Sequence, residues 1–518
     1  MRNLILLFSL LMLNNQLLSY ESSRGPSELI YWDPIKASPG YTFIKPLAVG
    51  GVFLIDMSGQ VINFWKDFTD VYLLEDGTII GAIGSDTFAQ ADWDGNILWK
   101  YDENRPGYDP HHDFLMIFNE ALGENTLLFV ANAPLTHDEV IQMGGDPSLV
   151  DNYDGTSIDT ITEIRSNGEI IWEWRFIDHL IQDIDPTKDN YVESKKVIAD
   201  YPEKLDINFG RVSRDYVHVN AIDYNPKLGH IAISSNRTNE VYIIDHDNTF
   251  VPNSLEESLE LAASEKGDFL YRWGNPAIYG QGSYPYYAKN DWSILEYSGN
   301  VQIGGNHDIH WIKDGLPGAG NLLLLNNGLR VPRARGDSTP QSEFIELNPY
   351  IGENYEIHDN YVNPPIAGYR TSQLPENNGA YIGGGGNQTD ANGGPTRLYS
   401  NQIVNGYQTT DGFISHHGSA VQRLPNGNTI VQLARPGRTI EITPNNEVVW
   451  EYINPIDRYT KKSYKTLITP VHFNSLGGWS PMRYPLDFPG IQDKDLTPKG
   501  NITDIVIDGN TAECDFYC

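Results

Sequence analysis

Cysteine is nearly absent from the sequence. Its two copies, Cys514 and Cys518, sit in the terminal "CDFYC", so no disulfide framework can hold the body of the chain together. Two thiols are too few for a structural zinc site, and a Cys514–Cys518 disulfide is the expected use in an oxidising compartment. Positive charge is also scarce: 36 Lys and Arg face 68 Asp and Glu, a formal net charge of −32. With no basic patch to neutralise phosphates, nucleic-acid binding is not expected, and docking on anionic membranes is disfavoured. Long apolar runs are missing as well. The one apolar stretch, Leu4–Leu13 behind Arg2, is too short to span a bilayer and fits the hydrophobic region of a secretory leader. A signal peptide over residues 1–20 and a periplasmic or secreted protein without a membrane anchor after cleavage are expected. The sequence says nothing of oligomeric state.

What is abundant is turn and aromatic residues: Gly 48, Pro 31, Tyr 30 and Trp 11. Amphipathic helical runs are few. One phrase recurs, an alternating apolar strand, a Gly/Asn turn, and a strand ending on an aromatic. It reads "GVFLIDMSGQVINFW" from Gly51, "FAQADWDGNILWKY" from Phe88, "ITEIRSNGEIIWEW" from Ile161 and "TIEITPNNEVVWEY" from Thr439. Interrupted copies start at Val241 and Phe344. Period-2 alternation around Asx-Gly turns predicts β-hairpins. A second phrase falls between the copies, starting near Val71, His111, Val217, His307 and His416, with a degenerate sixth near "GGWSPMRYP". Two hairpins make a four-stranded sheet. Six such sheets set radially predict an all-β, six-bladed β-propeller with loop and short helical insertions on its faces.

The propeller is assigned to residues 21–490 and a C-terminal tail to 491–518. Residues 178–206 and 253–268 read as partly helical insertions. The Gly/Asn-rich stretch 374–397 has no Lys-Ser/Thr ending and is not a P-loop. "DWDGN", Asp92–Asn96, lacks the later bidentate Glu of a calcium loop and reads as a blade turn.

The second phrases share an unusual feature. His111/His112, His218, His307 and His417 all lie at or just before its first strand, in four successive copies. Equivalent positions on different blades form a ring about the propeller axis. If that first strand is innermost, these imidazoles converge at the mouth of the central channel. Arg330 closes the hairpin begun at His307, and its forked donors suit the oxygens of a sulfate, phosphate or carboxylate.

The segments "DYVHVNAIDYNPKLGHIAISSNRTNEVYIIDHD", "GGNHDIHWIKDGLPGAGNLLLLNNGLR" and "SHHGSAVQRLPNGNTIVQLARPGRTIEITPNNEVVWEY" resemble the arylsulfotransferase family, in the family's order, with likeness from about Leu54 to Asn454. The resemblance implies a periplasmic six-bladed propeller. It implies an enzyme that moves a sulfuryl group from a phenolic sulfate ester to a phenolic acceptor, with no nucleotide donor, no metal and no other cofactor. It implies His417 as the nucleophile that is transiently sulfated, His218 and His307 as ligands of the transferring group, and Arg330 as their companion. His416 competes with His417 for the first role and His310 with His307 for the second. His112, His310, His416 and Asn220 are further candidates for substrate binding. Clustered cationic groups would hold the His417 pKa low and leave it a neutral nucleophile. Two other readings stand beside this one. A metal-dependent hydrolase would use several of the same histidines, although no His-Glu-x-x-His is present and neither His307 nor His310 has an evident carboxylate partner. A non-enzymatic ligand-binding or scaffold propeller would line its channel with them.

Overall fold

The computed structural model describes residues 18–20, 25–47, 50–150, 156–210, 215–281, 303–327, 342–351, 354–355, 403–404, 407–409, 415, 418–434, 437–445, 447–457, 461–467 and 483–505. His416, His417, Arg330, residues 374–397 and both cysteines lie outside them.

Six sheets form the six blades of a β-propeller. Blade 2 shows the pattern: Asp70–Leu73, Ile79–Ile83, Thr87–Ala91 and Ile97–Asp102 pair antiparallel in sequence order, the first strand innermost. The second sequence phrase therefore makes the inner hairpin of a blade, and the following first phrase makes its outer hairpin. Blades 3 and 4 repeat this with Asp109–Asn119, Glu124–Leu135, Thr156–Ile164 and Ile170–Arg175, then Val219–Asn225, His230–Ser235, Glu240–Asp245 and Tyr271–Trp273. Blade 5 has His307–Trp311, Leu322–Asn326 and Glu343–Leu347 among the described residues. Blade 6 runs Ala420–Arg423, Thr429–Leu433, Arg438–Ile442 and Val448–Ile453, and gains Glu28–Trp32 as a fifth, outer strand.

The ring closes on blade 1. Arg483–Pro485, from the degenerate sixth phrase, pairs with Gly40–Ile44, which continues into Gly51–Ile55 and Val61–Lys66. Arg483 donates to Thr42 Oγ1 at 2.8 Å and ion-pairs with Glu441 of blade 6, so a buried cation bridges first and last blades. The described part of the tail docks on blade 1: Val61 N–H donates to Gly500 O at 2.8 Å, and Ile491 and Ile502 are buried.

The tryptophans that end the first phrase explain how blades stack. Trp65 of blade 1 donates its indole N–H to Asp92 O in the outer turn of blade 2, at 3.1 Å. Trp99 of blade 2 does the same to Ser166 O of blade 3. Trp172 of blade 3 reaches Thr249 Oγ1 beside blade 4 at 3.0 Å, and Trp450 of blade 6 reaches Met57 O of blade 1 at 3.0 Å. Each ring fills the gap between neighbouring sheets, and its single polar atom is satisfied by the next blade's turn. The turn at "DWDGN" closes with Gly95 N–H on Asp92 O, and Gly95 takes φ +85°, a conformation that favours glycine.

Three aspartates latch the inner strands of blades 3, 4 and 5 each to the following blade. Asp113 Oδ2 accepts from Ile222 N–H at 2.9 Å, Asp223 Oδ2 from Trp311 N–H at 2.8 Å, and Asp308 Oδ2 from Val421 N–H at 2.5 Å. Desolvation pushes Asp113 up to about 7 and Asp223 to about 6, because removal from water disfavours the charged form.

The insertions differ from one another. Leu255–Ala262 is an α-helix capped by Ser254, whose hydroxyl accepts from Glu257 N–H. Residues 178–206 hold no α-helix. They fold as 3-10 turns at Phe176–His179 and Ile198–Asp200, flanking the parallel pair Leu180–Ile181 and Leu205–Asp206. Among the described residues no helix is long and apolar enough to cross a membrane.

Candidate active site

Three inner strands begin with an irregularity. The pairing register shifts between Pro110 and Phe114, between Val219 and Ala221, and between His307 and His310. At that place a non-glycine residue turns left-handed in four blades: His112 at φ +58°, His218 at +53°, Asp308 at +55° and Ser419 at +83°. Such conformations cost on the order of 1 kcal/mol or more each and persist where the surrounding structure over-determines them. A left-handed residue thus recurs at the entrance of four inner strands, with a register shift beside it in three.

In blades 3 and 4 three imidazoles gather at these entrances. The ring centroids of His112 and His218 are 4.6 Å apart, those of His111 and His112 4.9 Å, and those of His111 and His218 6.1 Å. His111 Nδ1 and His112 Nδ1 approach to 2.6 Å, a separation that requires one proton between them. Burial pushes the His112 pKa well below its ordinary value, reinforced by His218, His111 and His307. His112 is thus a neutral ring in electrostatic range of the blade 5 histidine.

Carboxylates stand behind these rings. Asp215, three residues before His218, accepts from His218 Nδ1–H. That bond fixes the tautomer and leaves Nε2 as the basic nitrogen. Burial raises the Asp215 carboxyl, but the hydrogen bond and charge of His218, with His111 and Arg237, outweigh it and leave Asp215 below the usual carboxylate range. Asp159, from the third strand of blade 3, is fully buried, and its Oδ1 lies 3.0 Å from His111 Nε2. Desolvation lowers the His111 pKa; the Asp159 contact, with Asp215 and Asp109, overrides that and raises it. Desolvation and the Asp215 charge hold Asp159 above its ordinary value.

His307 is buried in blade 5. Its Nδ1–H points at Gly305 O, 2.9 Å, and Asn327 Oδ1, 2.7 Å, while Nε2 accepts from Gly418 N–H at 3.3 Å. Gly418 is covalently next to His417. Asn327 Nδ2 in turn donates to Ser415 O at 2.6 Å and to Gly418 O at 3.0 Å. One amide thus joins His307 to both flanks of the His416–His417 pair. Asn220 is fully buried and donates from Nδ2 to Asn306 O at 2.7 Å, so its described bond ties blade 4 to the backbone beside His307.

His310 lies further along its strand. Burial lowers its pKa to about 4, helped by the charges of Lys313 and Arg423, and its nearest described acid is Asp308 at 3.9 Å. None of the clustered imidazoles is among its electrostatic neighbours. The structure thus brings His111, His112 and His218 into one cluster, with His307 in electrostatic range and anchored to the chain flanking His417. It keeps His310 apart.

Three polar residues of the site went unseen in the sequence: Asp159, Asp215 and Asn327. Asp215 sits at a readable spacing in "DYVH". Asp159 and Asn327 lie outside the repeat position that drew attention to the histidines, and no local signal marks them.

Solved structures that resemble the chain have low identity. They include a protein of unknown function from Bacteroides caccae, 12% identical over 86% of this chain and 100% of that one, TM-score 0.37. A putative 6-phosphogluconolactonase from Bacteroides fragilis is 10% identical over 87% and 100%, TM-score 0.31. Hydrazine synthase from Kuenenia stuttgartiensis is 14% identical over 49% and 66%, TM-score 0.28. No curated protein matches. The family model for arylsulfotransferase (ASST) matches residues 49–346, from blade 1 through the third strand of blade 5. The chain, a six-bladed propeller matched over more than half its length by that model, belongs to the arylsulfotransferase family.

Proposed function

We propose that the protein moves a sulfuryl group from a phenolic sulfate ester to a phenolic acceptor by a ping-pong route through a sulfated His417. The observation that carries this reading is the Asn327 amide, which couples His307 to both flanks of residues 416–417. In the first half-reaction a neutral His417 nitrogen attacks sulfur, the bridging S–O bond breaks, and the phenolate leaves. In the second, an acceptor phenol oxygen attacks sulfur and the N–S bond breaks. The phenol's proton passes to His218 Nε2, the nitrogen that the Asp215 bond on Nδ1 leaves facing away from the carboxylate. By analogy with phosphoryl transfer the transition state is loose and in line, so catalysis rests on positioning and charge. His307, once rotated from Gly418, and Arg330 would hold the sulfuryl oxygens. His112, neutral at the same mouth, is a polar wall of the donor site. Residues 1–20 would direct the chain to the periplasm or outside the cell.

The test is incubation with p-nitrophenyl sulfate. Donor alone should add one sulfuryl group by intact mass, localised to His417, and sustained nitrophenol release should require added phenol. The His417→Ala variant should keep its circular dichroism and lose both signals. Release without acceptor would make the protein a hydrolase. Full activity in His417→Ala would move the nucleophile to His416.

A further inference from the structure

Among the described residues, three buried ligand-type atoms at the channel mouth have no hydrogen-bond partner: His111 Nε2, Asp159 Oδ2 and Asp215 Oδ1. They belong to residues whose ligand atoms lie within 4.8 Å of one another. Asp159 is wholly buried. Its Oδ1 accepts from Val219 N–H at 3.1 Å, and its 3.0 Å approach to His111 Nε2 lacks the direction of a hydrogen bond. Unsatisfied buried acceptors each cost roughly 1–3 kcal/mol and more when charged, so their convergence calls for a positive occupant. The one proton between the Nδ1 atoms of His111 and His112 bears on what that occupant is. With that proton on His111, the Nε2 lone pair faces two carboxylates, an arrangement that is repulsive until a cation lies between them. Metal-ligating histidines are held in this way, one ring N–H fixed by another polar group while the other nitrogen faces the remaining ligand atoms.

We propose that His111, Asp159 and Asp215 form a binding site for one divalent first-row metal ion, zinc being the representative, at the seam of blades 3 and 4. One imidazole and two carboxylates suit zinc, manganese or cobalt. Magnesium and calcium prefer all-oxygen shells. Three protein ligands leave a coordination position for water. The ion neutralises both carboxylates and fixes Asp215, whose Oδ2 remains on His218 Nδ1. The site is therefore a clamp on the orientation of His218, and its existence does not depend on how sulfuryl transfer proceeds.

The test uses the full chain carrying Cys514→Ser and Cys518→Ser, so that terminal thiolates do not bind metal. After chelator dialysis, zinc added back should bind at one ion per chain by calorimetry and elemental analysis. Cobalt(II) should give visible ligand-field absorption without thiolate charge-transfer bands. Asp159→Asn should weaken zinc binding at least about 10-fold, taking the effect of losing a ligand as no smaller than that of losing a group hydrogen-bonded to a ligand. His137→Ala, a half-buried control outside the cluster whose described contact is Asp138, should bind as the parent does. Absence of stoichiometric zinc and of the cobalt spectrum in the parent chain would overturn the site and leave a protonated His111 between the acids. Zinc binding that survives Asp159→Asn undiminished would also overturn it. The cobalt measurement needs no change at the site itself, so a misfolded variant does not obscure the answer.

Discussion

Two of the histidine–carboxylate meetings at the seam of blades 3 and 4 differ in kind. Away from the channel mouth, His246 is buried with Nε2 2.9 Å from Glu163 and Nδ1 2.8 Å from Asp247. Glu163 also accepts from Asn119 at 2.9 Å and Thr126 at 2.6 Å. Both ring nitrogens are engaged, and Trp172 packs on the imidazole with centroids 4.8 Å apart. At the mouth the same two residue types leave a ring nitrogen and two carboxylate oxygens unsatisfied. Saturation separates the two: a fully bonded His–acid group holds blades together, whereas an incompletely bonded one has capacity left for a substrate, a proton or an ion. Residue identity alone does not distinguish them.

The comparison is broken most severely at Asp215. Asp215→Asn should lower the acceptor half-reaction about 100-fold, the lower range of general-base effects, because His218 loses its tautomer partner. Sulfation of His417 by donor alone should change little, and Asp215→Glu should recover part of the loss. A uniform fall in both half-reactions would mark Asp215 as merely structural. Next in size is His246. Burial lowers its pKa, but bonds to Asp247 and Glu163 override this and raise it to about 9. A histidine whose folded pKa exceeds its unfolded value near 6.5 contributes fully below about pH 6.5 and loses that contribution as pH rises through about 9. The shift corresponds to about 3 kcal/mol. His246→Gln should therefore lower stability at pH 6 by that order and flatten the decline of stability between pH 6.5 and 9, with the sulfated intermediate still formed. A variant that keeps the pH dependence would show that another group sets it. The smallest effect belongs to His310, whose charged neighbours are Lys313, Arg423 and Asp308. His310→Asn should leave both half-reactions near the parent's rates, and a large loss would extend the mouth further along the strand.

The blade pattern was legible because its signals are local. Alternation, Asx-Gly turns and a terminal tryptophan each act within about a dozen residues, and repetition turns them into an architecture. The 178–206 insertion was legible only in part: its helical content is short 3-10 turns, and the parallel pairing of Leu180–Ile181 with Leu205–Asp206 has no local signal. The histidines could be aligned because they recur at one repeat position. Asp159 could not, because it reaches His111 from a third strand 48 positions further along the chain, across the sheet of blade 3.

By itself the sequence determined that hairpins recur six times and that four of them begin with histidine, since covalent spacing and side-chain period are properties of the chain. Only the tertiary structure decided which imidazoles share a mouth, which acid stands behind each, and that His310 is set apart. Those outcomes depend on how neighbouring sheets are rotated and latched against one another, and contacts between residues this distant in the chain have no local precursor to read.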